Sequence, residues 1–313
     1  MELKYRRLSW WDDQSVIVGQ SIRDRSDPVP FHPMHPRFEE SLGALKSALQ
    51  VDVVVAQRLG FNNQITDLNL GGESLLFTGT KVPGFYRTVE ETEALVLPRK
   101  VGPLGKMAGL VMNADCAIIY FVNRQVFGLV HAPLKSLDPG QQASPVLLTS
   151  EDCVREDYQS KRGYPVTFAI ADHVRRHYDF DLGETRWYVA FGAGASSYGL
   201  NLDNPSSGNF SREVMSRIAP WHGMSIGKKV LKPPRMGWAA VDCAEVIQKQ
   251  LLESGVPKKN IRVDPIDASS LGLDPAKMRM LGEHGDHYSN IRASAEENAL
   301  PWKPRNAAFI AIV

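Results

Sequence analysis

Two short apolar runs, residues 117–122 and 126–130, are separated only by the polar Asn123-Arg124-Gln125. Both are rich in β-branched and aromatic residues and bounded by turn chemistry, which is the signature of a β-hairpin. Cys116 stands just ahead of the first run and His131 just after the second. Antiparallel pairing therefore predicts that both side chains sit at the same end of the hairpin. A thiol beside an imidazole can act as a nucleophile or as a soft metal ligand. A cysteine and a histidine fifteen positions apart can equally be packed structural groups. Asp115, beside the strand end, needs solvent, a partner or a chemical role, or else caps a turn.

Composition narrows the partners. A chain of 313 residues, 43% hydrophobic and 23% charged, suits a soluble globular protein with a sizeable core. A formal net charge of +1 provides no basic field for nucleic acid. The three cysteines, Cys116, Cys153 and Cys243, form no CxxC pair, which argues against a disulfide framework or a zinc ribbon and for a reducing, cytoplasmic compartment. The first residues, MELKYRRLSWWDDQ, hold no apolar leader core, and no run of eighteen apolar residues occurs, so neither secretion nor a membrane span is expected.

Along the chain, residues 15–20 read as a strand. Residues 27–36 hold four prolines and read as a loop carrying His32 and His35. Phe38, Leu42, Leu45 and Leu49 fall at helical spacing within an amphipathic helix over 37–49. Strands follow at 51–56, 93–97 and 107–112. Residues 138–164 are polar and read as a surface insertion, with Cys153 among acids that would raise its pKa. A helix over 169–178 sets His173 and His177 at i, i+4, a spacing that either shares a metal or makes a solvated face with Arg175 and Arg176. A strand at 187–191 runs into Gly192-Ala193-Gly194-Ala195-Ser196-Ser197-Tyr198-Gly199, a phosphate cradle or a plain tight turn. Residues 210–235 read as basic and irregular, 239–254 as a helix ended by Gly255, 261–263 and 307–313 as strands. Strands outnumber helices and mix hairpins with crossovers, which predicts an α+β fold of layered mixed sheets flanked by helices, with the Cys116/His131 hairpin at the site.

The order of these pieces resembles the laccase-domain family, also called YfiH-like or copper-oxidase-type proteins and better described as purine nucleoside phosphorylases. The resemblance is carried by Gln57-Arg58-Leu59-Gly60, Glu93-Ala94-Leu95-Val96, Ala114-Asp115-Cys116, His131-Ala132-Pro133-Leu134-Lys135, Gly192-Ala193-Gly194 with Tyr198, Val241-Asp242-Cys243 on to Gly255-Val256, the stretch from His287 to Arg292, and Arg305-Asn306-Ala307-Ala308. It runs over nearly the whole chain and so implies one domain over 1–313. It also implies a cytoplasmic enzyme that cleaves purine nucleosides with phosphate, and can deaminate adenosine, at a zinc ion held by one cysteine and two histidines. Cys116 and His131 match two of those ligands; the third position is Leu59, so either His284, His287 or a loop histidine substitutes, or the metal is lost. In the mechanism expected for such an enzyme, Asp115 or a metal-bound water handles protons, and Lys135, Arg292 or the Gly192–Gly199 loop with Gly194 and Tyr198 contacts phosphate or nucleoside. Pro133-Leu134-Lys135 replaces the family's Gly-Trp-Arg, and Lys is a point charge where Arg is a bidentate fork.

Two other classes stand beside this one. Cys-His deamidases, such as the catalytic domain of cytotoxic necrotizing factor and the chemotaxis deamidase, are similar in placing a cysteine before a strand and a histidine after its partner. In that reading Cys116 is the nucleophile, His131 its base, and no metal is needed. The third class is a relative without activity that acts as a binding protein.

Overall fold

The computed structural model describes residues 3, 5–21, 23–24, 31, 35–60, 63–70, 76–77, 80–113, 116–138, 165–192, 198–206, 208–222, 236–264, 285–286 and 306–313. In chain order they form β1 (Tyr5–Leu8), β2 (Val16–Ser21), β3 (Arg23–Asp24), α1 (Phe38–Leu49), β4 (Val53–Arg58), β5 (Ile65–Asp67), β6 (Leu76–Phe77), β7 (Phe85–Glu91), β8 (Ala94–Pro98) and β9 (Met107–Asn113). There follow β10 (Ala117–Val122), β11 (Val126–Ala132), α2 (Leu134–Leu137), α3 (Val166–His177), β12 (Arg186–Ala190), β13 (Gly199–Asn201) and α4 (Gly208–His222). The last elements are β14 (Trp238–Ala240), α5 (Cys243–Glu253), a 3-10 turn (Lys258–Asn260), β15 (Ile261–Val263), β16 (Gly285–Asp286) and β17 (Asn306–Ile312).

Two mixed sheets carry the fold. One is seven-stranded, in the order β1-β2-β17-β9-β4-β7-β6, and the other six-stranded, in the order β15-β12-β10-β11-β8-β5. In the first, β4 runs parallel to β7 and β9 while β17 runs antiparallel to β2 and β9. In the second, β10, β11, β8 and β12 pair antiparallel, and β15 and β5 add parallel at the edges. The architecture is the layered α+β arrangement expected from the sequence.

Side-chain alternation sorts the apolar residues into three layers. Val53, Val55, Val111, Ala308 and Ile310 of the first sheet meet Leu95, Leu97, Ile118, Tyr120 and Leu129 of the second between the sheets. Val54, Ala56, Leu110 and Phe309 face the other way, onto Phe38, Leu42, Leu45 and Leu49 of α1. Ala117, Ile119, Phe121 and Val130 face the helices α3, α4 and α5. The order of layers is helix, sheet, sheet, helices. Each Leu or Phe so covered contributes on the order of 1.5–3 kcal/mol.

The elements differ from the sequence reading where long-range contacts decide. Residues 210–235, read as irregular, begin inside α4, whose Val214, Met215, Ile218 and Trp221 are buried at helical spacing. The helix expected over 239–254 starts only at Cys243, because Asp242 accepts the Glu245 N–H at 3.0 Å as a cap, while 238–240 pair with β13. α3 begins three residues earlier than expected, directly after Pro165, which has no N–H to leave unsatisfied at a helix start. The surface insertion expected at 138–164 lies outside the described residues except for Asp138, which takes both arms of Arg217 at 2.7 Å.

Gly128 shows how closely the central strands pack. A Cβ there would lie 2.1 Å from the Leu95 carbonyl oxygen and 2.4 Å from the Phe121 ring. Neither atom can retreat, since both belong to paired, buried strands. Gly128→Ala is expected to lower stability by about 2–3 kcal/mol, read from urea unfolding midpoints; an unchanged midpoint would show that β11 can shift.

Candidate functional site

The β10–β11 register pairs Ala117 with Ala132 and Ile118 with His131, so Cys116, one residue before Ala117, comes to the end of the hairpin where His131 lies. Phe127 and Leu129 point between the sheets. His131 follows them at the same parity and points there too. β8 pairs with β11 on the other side, with Ala94 opposite Val130, and this sets Glu93 against His131. The contact is double: the His131 N–H donates to the Glu93 carbonyl at 2.8 Å, and His131 Nδ1 lies 2.6 Å from Glu93 Oε2. The other carboxylate oxygen accepts the Gly60 N–H at 3.1 Å. Glu93 is 0% exposed and His131 2%.

The Cys116 thiol lies close enough to the same imidazole to act on it by charge and side-chain hydrogen bonding. Burial alone would push the His131 pKa down; the charge and hydrogen bond of Cys116, and then those of Glu93, outweigh it and raise the value to about 10. The imidazole is thus held protonated at neutral pH. Cys116 is half-buried. Cys243, at the start of α5, is the contrasting thiol: burial first, then the charges of Cys116 and Asp242, push its pKa well above the ordinary range. It is an inert packed sulfur.

Carboxamides surround this line. Asn113, at the end of β9, donates from Nδ2 to the Cys116 carbonyl at 3.1 Å and spans the turn that leads to the cysteine. Gln57, at the end of β4, donates from Nε2 to the Leu129 carbonyl at 3.4 Å. Both are 2% exposed, and among the described residues neither side-chain oxygen has a hydrogen-bond partner.

The expected site residues are distributed unevenly around it. Cys116 and His131 lie at the same end of the hairpin, and the thiol acts on the imidazole. Asp115, Gly194, Arg292, His284, His287, His32 and Cys153 lie outside the described residues. Lys135 is exposed on α2, four residues after His131. Tyr198 is half-buried, packs against the helix-side core and accepts the Val241 N–H at 2.8 Å through its carbonyl. His35 accepts the Arg37 N–H at 3.1 Å within its own loop. His173 is not on a solvated face: its Nε2 lies 2.6 Å from Asp67 Oδ2, which also accepts the Tyr178 hydroxyl at 2.6 Å, and this ties α3 to the sheet edge. Glu93 was missed as a site residue. Its signal was an acidic side chain at the mouth of an otherwise apolar run.

The donor set bears on zinc. Leu59, at the family's third ligand position, packs against the apolar layer between the sheets. Among the described residues, no group of three or more His, Cys, Asp or Glu side chains is gathered so as to hold a metal ion. Two donors fall short of the three that a catalytic zinc site keeps, so the described residues do not fit the ion.

No family model and no curated protein matches the sequence. Solved structures do. A hypothetical protein YfiH from Bacillus licheniformis superposes with a TM-score of 0.62 at 14% identity, covering 99% of each chain. YlmD from Geobacillus stearothermophilus gives 0.61 at 15%, covering 99% of this chain and 96% of that one. This chain has the YfiH fold. A Neisseria meningitidis protein of the DUF152 family gives 0.57 at 13%, with 99% of both chains covered. The likeness read from the order of short motifs is borne out at the level of the YfiH fold, from the first sheet to the last. Among the described residues, no helix is long and apolar enough to cross a membrane.

The sign of the His131 contribution follows from its raised pKa. A proton held in the folded chain but lost from the unfolded one above about 6.5 contributes fully below that value and is lost as pH rises through about 10. Urea unfolding across this window should show the native chain losing stability more steeply than His131→Gln, by up to about 1.4 kcal/mol per pH unit. Parallel slopes would mean that the ring is not charged.

Proposed function

We propose that this chain is an enzyme whose reacting group is Cys116, a Cys-His amidohydrolase or deamidase that needs no metal. The observation that carries the reading is the grouping of Glu93, His131 and Cys116, with His131 Nδ1 2.6 Å from a buried carboxylate and the Cys116 thiol acting on the same ring. In this reading the proton already rests on the imidazole and the sulfur reacts as the thiolate of a thiolate–imidazolium pair. The sulfur then attacks the carbonyl carbon of an amide, forming the C–S bond. His131 returns its proton to the nitrogen, the C–N bond breaks, and ammonia or an amine departs. Neutral His131 next draws a proton from water, which attacks the thioester and releases a carboxylic acid and the free thiol. Glu93 keeps the ring oriented and stabilises its charged form, as the acid of a catalytic triad does.

The YfiH fold, matched over 99% of the chain, supports a second reading: phosphorolysis of purine nucleosides to free base and ribose 1-phosphate, with adenosine deamination as a side activity. There Asp115 manages a proton, and Lys135, Arg292, Tyr198 and the Gly194 turn contact phosphate and nucleoside. Because the described residues do not fit zinc, no step is routed through it. The phosphorolytic reading makes the partner a small molecule, and both readings place the chain in the cytoplasm, where the free thiols Cys116 and Cys243 stay reduced.

One panel separates the readings. Purified protein is given glutamine-containing peptides, simple primary amides, adenosine and inosine, with and without phosphate, before and after treatment with a chelator. Ammonia, free base and ribose 1-phosphate are followed. Ammonia release that survives chelation, is abolished in Cys116→Ala and falls at least about 100-fold in Glu93→Gln is the expected outcome. Phosphate-dependent release of base would establish the second reading instead, and no turnover of any substrate would leave a binding protein.

A further inference from the structure

The far end of β12 carries side chains that the thiol chemistry does not use. Ala190 pairs with Ile118, near Cys116, while Arg186 pairs with Val122, near the hairpin turn, roughly 13 Å away along the strand. β12 and β15 run parallel with Tyr188 beside Arg262, so Arg186, Tyr188 and Arg262 share the face of their sheet that looks toward the other sheet. Trp11, from the turn between β1 and β2, lies against them. The guanidinium carbon of Arg262 stands 4.3 Å from the centroid of the Trp11 ring and that of Arg186 5.8 Å from it. Trp10 and Tyr188 meet the same ring edge-on at 5.0 and 6.3 Å. The turn is braced, since one Asp13 carboxylate oxygen accepts the Ser15 N–H at 3.0 Å and the other holds Arg99 at 2.5 Å. Trp11 has a φ of 31°, a left-handed backbone that is costly for a bulky residue. Trp11 and Arg186 are half-buried, and Arg262 is exposed.

Stacking occupies the face of a guanidinium and leaves its in-plane N–H groups free to donate. The neighbouring carboxylates do not meet them. Asp264 takes Arg6 through two bonds at 2.6 and 2.7 Å, and Glu184 lies 3.3 Å from Arg124. Asp12 forms no ion pair among the described residues. Arg186 donates to the Asn260 side-chain oxygen, and Arg262 has no hydrogen-bond or ion-pair partner among the described residues. Two cations are thus held on one ring without a carboxylate between them. We propose that Arg186 and Arg262, braced on Trp11, form a binding site for a dianionic phosphoryl group, carried by inorganic phosphate or by a phosphate monoester. The doubled charge favours a dianion over a carboxylate, and the parallel N–H groups of a guanidinium fork fit neighbouring oxygens of one phosphoryl group. The site stands apart from Cys116 and does not depend on the chemistry proposed there.

The test is isothermal titration calorimetry of the full chain with inorganic phosphate, phenyl phosphate and acetate at one low ionic strength. Phosphate is expected to bind with a dissociation constant on the order of 1 mM, and acetate at least about tenfold more weakly. Arg262→Gln and Arg186→Gln should each weaken phosphate by about 10- to 100-fold, the worth of one charge-assisted contact. Thermal melts check that both variants fold, and the comparison of phosphate with acetate on the native chain stands even where one does not. Tighter binding of phenyl phosphate than of phosphate would assign the site to an ester, and equal or weaker binding to the free ion. Phosphate bound no more tightly than acetate, or bound equally well by both glutamine variants, would overturn the site. Phosphate binding that survives in both of them and is lost in Lys135→Ala would also overturn it, and would place the anion on the Cys116 side, as the phosphorolytic reading requires.

Discussion

The strand pair β10–β11 is buried on both faces, and the rest of the molecule answers that constraint. Ile118, Tyr120 and Leu129 need cover on one side, and Ala117, Ile119, Phe121 and Val130 on the other. No single layer can supply both, so the pair sits inside a sheet that has a second sheet on one face and helices on the other. Gly128 belongs to the same requirement, since only a residue without a side chain lets β11 approach the Leu95 carbonyl and the Phe121 ring. Within the described hairpin strands, the one polar group in mid-strand is the Tyr120 hydroxyl, which donates to the Gly19 carbonyl at 3.2 Å; His131 lies near an end.

One of those ends holds the site. A carboxylate as buried as Glu93 is expensive to desolvate unless each oxygen is met. Here one oxygen accepts from the Gly60 backbone and the other from His131. The same contacts that make Glu93 tolerable hold His131 at two points, its backbone N–H and its Nδ1. Electrostatics and packing are therefore not separable at this point. A reactive group on a rigid strand end is positioned more exactly than one on a loop could be.

The YfiH fold and this pairing together explain what Leu59 does. At a position where the family resemblance places a metal-binding histidine, the side chain continues the apolar layer between the sheets. Cys116, His131 and Glu93 keep their mutual geometry without it. The contact between Glu93 and His131 lies within one sheet, whereas Leu59 follows β4 of the other.

Much of this was legible before folding. The hairpin, the meeting of Cys116 and His131 at one end of it, the helix over Phe38–Leu49, the strand at Ile261–Val263 and the layered α+β class all follow from local periodicity and turn chemistry, which act between near neighbours. The helix α4 and the start of α5 were obscured because a basic, proline-containing stretch hides its buried positions and because a cap is decided by one hydrogen bond. Glu93 as partner of His131 was decided by tertiary structure alone. Glu93 lies 38 residues from His131, and the contact exists only because β8 pairs with β11 in one register; a slip of one residue would turn the carboxylate to the opposite face. The sequence by itself determined which segments become strands and which polar groups end them. Which of those ends meet was left to the packing of two sheets, whose register no local pattern encodes.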